Sequence, residues 1–69
     1  MDFTECEYEM KKVLKIAVNK QKSKTEIMVR AKRVIRRCKE LAANAKSTEV
    51  KENIKAKYRR FRAKVKNVI

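Results

Sequence analysis

Residues 27–45 read IMVRAKRVIRRCKELAANA, and the reading of this stretch decides the architecture. Ile27, Ala31, Val34, Cys38, Leu41 and Ala45 recur at spacings of 4, 3, 4, 3 and 4, the period of one face of an α-helix. Met28, Ile35 and Ala42 form a neighbouring seam that repeats every seven residues. A helix with two apolar seams has surface for two partners and belongs at the centre of a helical fold. Ser23 followed by Glu26 has capping-box spacing, so this helix is expected from about Lys24 to Lys46.

Upstream, Phe3, Cys6, Met10, Val13 and Ala17 follow the same alternation of threes and fours, and Leu14 and Val18 widen the stripe. Thr4 with Glu7 is a second capping-box pair, and a first helix is expected from about Asp2 to Lys20. The polar run from Asn19 to Lys24 separates the two. Centring a turn on Lys22 sets Phe3 level with Leu41, Cys6 with Cys38, Met10 with Val34, Val13 with Ala31 and Ala17 with Ile27. Every layer joins two stripe positions, as an antiparallel helical hairpin requires.

Downstream, Val50, Ile54, Tyr58, Phe61, Val65 and Val68 are out of phase with the second helix. A break near Ala43–Thr48 accounts for the shift, with Ser47 or Thr48 as cap and a third helix over about 48–68. Folding back, it would set Ala45 near Val50, Leu41 near Ile54, Val34 near Phe61 and Ile27 near Val68. The fold class is all-α in a single domain, residues 1–69: a hairpin plus a third basic helix. It is either a three-helix bundle or the protomer of a dimeric four-helix-bundle core, because a chain this short builds a marginal core.

Composition agrees. Gly and Pro are both absent, which removes the residues that tight β-turns favour. The aliphatic content argues against disorder despite 42% charged residues. No stretch approaches the ~20 apolar residues of a membrane span, and the acidic start (Asp2, Glu5, Glu7, Glu9) is unlike a secretory signal. An intracellular, cytoplasmic protein with reduced cysteines is expected.

Catalysis is not expected. There is no His, no Gly-rich phosphate loop and no Cys-x-x-Cys. The acids sit mainly at helix starts, where they cap. Cys6 and Cys38 read as core thiols, with a hairpin disulfide as the alternative, and two thiols do not complete a metal site. No cofactor or metal is expected.

The positive charge carries the functional reading. Net charge is +13, and self-repulsion of that size is relieved by a polyanion. Lys51, Lys55, Arg59, Arg62 and Lys66 fall in one band of the third helix, extending over roughly 22 Å at 1.5 Å per residue. Lys57, Arg60 and Lys64 lie on the opposite flank. On the second helix Lys32, Arg33, Arg36 and Lys39 face away from the apolar stripe, with Arg30 and Arg37 on one shoulder. All arginines lie on these two helices, and the guanidinium fork suits bidentate phosphate contact. Tyr58 and Phe61 lie on the apolar side, which disfavours base stacking and leaves duplex backbone binding.

This layout resembles the nodavirus double-stranded-RNA-binding suppressors of RNA silencing, small all-helical proteins whose antiparallel hairpins dimerise into a four-helix bundle. The resemblance covers residues 2–46 and is architectural. It implies a homodimer in the host cytoplasm that contacts A-form RNA through Arg30, Lys32, Arg33, Arg36 and Arg37. The long basic third segment departs from that pattern. Other readings are a DNA-binding regulator or compacting protein, with Ala43–Thr48 as the turn of a helix-turn-helix, and a small helical inhibitor that docks on an acidic protein. Membrane-surface binding is the weakest, since Tyr58 is the third helix's one aromatic of the interfacial type.

Overall fold

A computed structural model describes residues 3–69, and the expected helix start at Asp2 lies outside them. Three helices pack into an all-α three-helix bundle: α1 (Phe3–Val18), α2 (Lys24–Ala43) and α3 (Thr48–Val68). All three pairs of helices are in contact, and the bundle is elongated, with Cα extents of 37 × 20 × 16 Å.

The core follows the apolar stripes. Cys6, Met10, Val13 and Ala17 of α1 are buried, as are Ile27, Ala31, Val34, Cys38 and Ala42 of α2. From α3 come Ile54, Phe61 and Val65. Phe3, Leu14, Met28, Ile35, Leu41, Tyr58 and Val68 pack around this core half-buried. The hairpin register is the expected one. Cys6 and Cys38 are adjacent across the α1/α2 seam, and Ala17 and Ile27 line one depression at the other end. Val68 lines that same depression beside Ile27, and Val65 shares a groove with Ala31, so α3 runs back antiparallel to α2 along its length.

The α1–α2 turn is made without glycine. The Lys20 N–H donates to the Ala17 carbonyl at 3.2 Å and the Gln21 N–H to the Ile16 carbonyl at 3.1 Å. This is the Schellman pattern, and it places Lys20 in the left-handed region at φ 52°. Ser23 then caps α2, its Oγ accepting the Glu26 N–H at 3.2 Å.

Several boundaries and placements differ from expectation. Thr4 lies inside α1 as its second described residue, and Glu7 reaches across to Lys57. Helix α2 ends at Ala43, so Ala45 leaves the stripe and Ala42 takes the buried position. The cause is the turn at Asn44, whose N–H still bonds the Glu40 carbonyl at 3.1 Å while the Ala45 N–H tightens onto the Ala42 carbonyl at 3.2 Å. Val18 and Val50, assigned to stripes, are 61% and 49% exposed, because each sits at the edge of a helix beyond the facing helices' reach. The seam of Met28, Ile35 and Ala42 packs within this chain, against the core that α3 completes. Cys6 and Cys38 are present as thiols, not as a disulfide.

Candidate nucleic-acid interface

Two packed helices leave a groove between them, and the side chains beside each core stripe become its walls. Between α2 and α3 the groove measures about 380 Å³. Its floor is apolar (Met28, Ala31, Ile35, Val65), and its walls are Lys32, Arg36 and Lys39 from α2 and Arg62 and Lys66 from α3. Among the described residues five cations and no carboxylate line it. Arg36, Lys39, Arg62 and Lys66 are exposed, and none of them takes part in an ion pair among the described residues.

The antiparallel register explains the convergence. Lys32, Arg36 and Lys39 are spaced 4 and 3, so they share one flank of α2. Arg62 and Lys66 are one turn apart on the flank of α3 that faces it. Lys51, Lys55 and Arg59 continue the same α3 row towards the α2–α3 turn, beyond the groove lining. Lys51 and Lys55 are half-buried, and the Lys55 Nζ lies 3.9 Å from Glu52 Oε1. Glu52, one turn ahead of Lys55, thus sets an acid beside this basic row.

The α2 arginines do not form a single row. Arg30, Arg33 and Arg37 turn the other way, into a smaller groove of about 120 Å³ between α1 and α2, with Lys12 and Glu9 of α1. Arg33, expected beside Lys32 and Arg36, falls on this side because its phase places it nearer Arg30 and Arg37. Arg30 Nη2 sits 3.5 Å from Glu26 Oε1, an exposed pair contributing about 0–1 kcal/mol. The expected site residues therefore divide between two faces of the bundle, with α2 as the ridge that separates them.

The third groove, between α1 and α3, is lined by Lys11, Lys57, Arg60 and Lys64 over Met10, Leu14 and Phe61, with Glu7 as the one carboxylate among the described residues. Lys57 Nζ is 3.4 Å from Glu7 Oε1 and 5.1 Å from the Phe3 ring centroid, so it ties α1 to α3. The α1 lysines at 11 and 12 were not among the expected site residues, whereas Lys39 was grouped with Lys32 and Arg36 on the basic side of α2. Lys39 was legible, three residues after Arg36 and seven after Lys32. The α1 lysines carried no such signal, because their role depends on which helix packs beside them.

Among the described residues Tyr8 is the exposed aromatic, at 65%, and it lines none of these grooves. Phe61 is 3% exposed and Tyr58 half-buried. No described helix is long and apolar enough to cross a membrane. No family model, curated protein or solved structure matches the chain.

Proposed function

We propose that this protein binds double-stranded nucleic acid without regard to base sequence, preferring duplex RNA, through the α2/α3 face. The observation that carries this reading is the groove walled by Lys32, Arg36, Lys39, Arg62 and Lys66 with no carboxylate among its lining residues. Cations held on two parallel walls contact phosphates without reading bases, and counterion release supplies the affinity. Arg30, Arg33 and Arg37 extend the contact around the α2 ridge, and Lys51, Lys55 and Arg59 extend it along α3. With Phe61 buried, Tyr58 half-buried and the exposed Tyr8 outside the cationic grooves, the arrangement favours a duplex over a stacked single strand. The lean to RNA is supported by the resemblance to silencing suppressors, which recognise the shape of the A-form helix, and a cytoplasmic location, that of the host for a viral protein, is what the same resemblance implies.

A DNA-binding helix-turn-helix reading is weaker on one specific observation. A recognition helix crosses its partner steeply and protrudes, whereas α3 lies along α2 from one end to the other. The homodimer that the resemblance implies has a defined test. Met28 and Ile35 line the same groove as the cations, so a dimer through that seam and a duplex on that groove exclude one another. Sedimentation of Ile35→Glu decides it: loss of a dimer places the seam at the interface, and an unchanged dimer excludes it.

The deciding experiment is a gel-shift series with matched duplex RNA, duplex DNA and single-stranded RNA at several salt concentrations. Duplex RNA of any sequence should bind best, with affinity falling steeply as salt rises. Equal, weak binding to all three, unchanged in Arg36→Glu/Arg62→Glu, would sink the proposal. Capture of an acidic protein in preference to any duplex would favour the inhibitor reading.

A further inference from the structure

A protein that binds one duplex needs one cationic face. Here all three grooves are cationic: five cations and no acid between α2 and α3, and four cations with one acid in each of the others. Within the α1/α3 groove Glu7 is engaged by Lys57, which leaves Lys11, Arg60 and Lys64 outside every ion pair among the described residues. Arg60 and Lys64 are one turn apart on α3, and both are exposed, as is Lys11. In a three-helix bundle the groove between two helices points away from the third. The α1/α3 groove therefore opens on the side opposite α2, the helix that carries most of the arginines of the first face.

We infer that a single copy of this protein bridges two duplexes, one seated on the α2 side and the second held by Lys11, Arg60 and Lys64 in the α1/α3 groove. This rests on the duplex-binding reading and goes beyond it: the second face makes the protein a crosslinker of nucleic acid rather than a coat on one molecule. Two polyanions seated in separate grooves of a cationic body only 16–20 Å across in Cα extent are each attracted to it. Repulsion between them is screened over a Debye length of about 8–10 Å at physiological salt. Binding of the first duplex consumes charge on one side and leaves the other side's charge unneutralised. The second face is weaker by chemistry, with two lysines and one arginine, so bridging is expected to fail at lower salt than single-duplex binding.

The test immobilises a 20-base-pair RNA duplex, saturates it with protein and measures capture of a second, fluorescent duplex. Protein concentrations are those at which sedimentation shows a monomer. Wild-type protein should capture the second duplex. Lys11→Glu/Arg60→Glu/Lys64→Glu should lose that capture at least tenfold while keeping single-duplex gel-shift affinity within about threefold. The triple Gln variant, which perturbs the surface less, should show the same split in smaller measure, with circular dichroism confirming that both variants are folded. Equal capture by wild type and both variants overturns the inference, as does wild-type protein that shifts a duplex but captures no second one. Capture that appears only where the protein sediments as a dimer also overturns it. Failure of wild type to shift any duplex would instead remove the underlying reading, and the inference with it.

Discussion

Lys20 holds a conformation that most side chains avoid. Its φ of 52° closes the Schellman turn after α1, and a non-glycine residue there costs about 1–2 kcal/mol. Lys20→Gly should therefore raise stability by roughly 1 kcal/mol, partly offset by glycine's greater freedom in the unfolded chain; a lower urea midpoint would contradict this account of the turn. The two thiols make the other residue-scale case. Burial pushes Cys38 up from 9.0 to about 12, with the adjacent Cys6 adding to the effect. The folded state thus keeps a proton that the unfolded chain releases above pH 9. Stability from this group is complete below about pH 9 and is lost as pH rises towards 12, at about 1.4 kcal/mol per pH unit. Lysines and tyrosines also titrate in that window, so the comparison is between wild type and Cys38→Ala under reductant. The wild type's stability relative to the variant should fall between pH 8 and pH 10.5, measured by urea unfolding. A constant difference would mean that the Cys38 thiol is not held protonated. The same burial predicts that an aromatic disulfide reagent modifies native protein only as fast as it unfolds.

At the scale of the element, the two helix starts that looked alike in sequence are physically different. Ser23 Oγ accepts the Glu26 N–H, whereas Ser47 caps α3 without a side-chain hydrogen bond. Ser23→Ala should cost about 1 kcal/mol, and Ser47→Ala a few tenths at most; equal losses would show that the cap hydrogen bond is not what matters. Periodicity made the helices and the α1/α2 register legible, because a turn placed within the polar run from Asn19 to Lys24 paired stripe positions in every layer of that hairpin. Cys6 against Cys38 is the residue pair that shows it. The ends were less legible. Nothing in Ala42-Ala43-Asn44-Ala45-Lys46 stops a helix by propensity, and α2 ends at Ala43 because the chain must turn for α3 to reach the second seam. The same docking explains why Met28 and Ile35, which a dimer could have used, are half-buried within one chain. Helix α3 is held chiefly by Ile54, Phe61 and Val65. Phe61→Ala is expected to cost about 3–5 kcal/mol. A chain of 69 residues has about 3–10 kcal/mol in total at 0.05–0.15 kcal/mol per residue, so this variant should be largely unfolded by circular dichroism at 37 °C.

For the whole molecule the governing quantity is charge, and its arrangement was only half legible. Helix phase gave the rows, but which rows meet depends on packing: Lys32, Arg36 and Lys39 converge with Arg62 and Lys66 because α3 lies antiparallel on that flank, and Arg33 does not join them. With +13 on 69 residues, three cationic grooves repel one another through a small bundle, and this repulsion opposes folding in the absence of anions. Raising sodium chloride from about 20 to 500 mM shortens the Debye length from over 20 Å to below 5 Å. A gain of roughly 1 kcal/mol on this account corresponds to about 4–8 °C in Tm for a domain of this size. A short RNA duplex should stabilise the protein more strongly at low salt, by about 2.7 kcal/mol when present at a hundred times its dissociation constant. The two effects compete: salt releases the duplex while screening the bare protein, so the curves of Tm against salt with and without duplex should converge. Arg36→Gln/Arg62→Gln separates the contributions. It should lower the slope of log affinity against log salt by about 2, one unit for each lost phosphate contact. It should also raise the low-salt Tm of the free protein, because two repelling charges have gone. Unchanged slope with unchanged Tm would place neither arginine in the interface nor in the repulsion, and the α2/α3 groove would then have no claim to be the binding face.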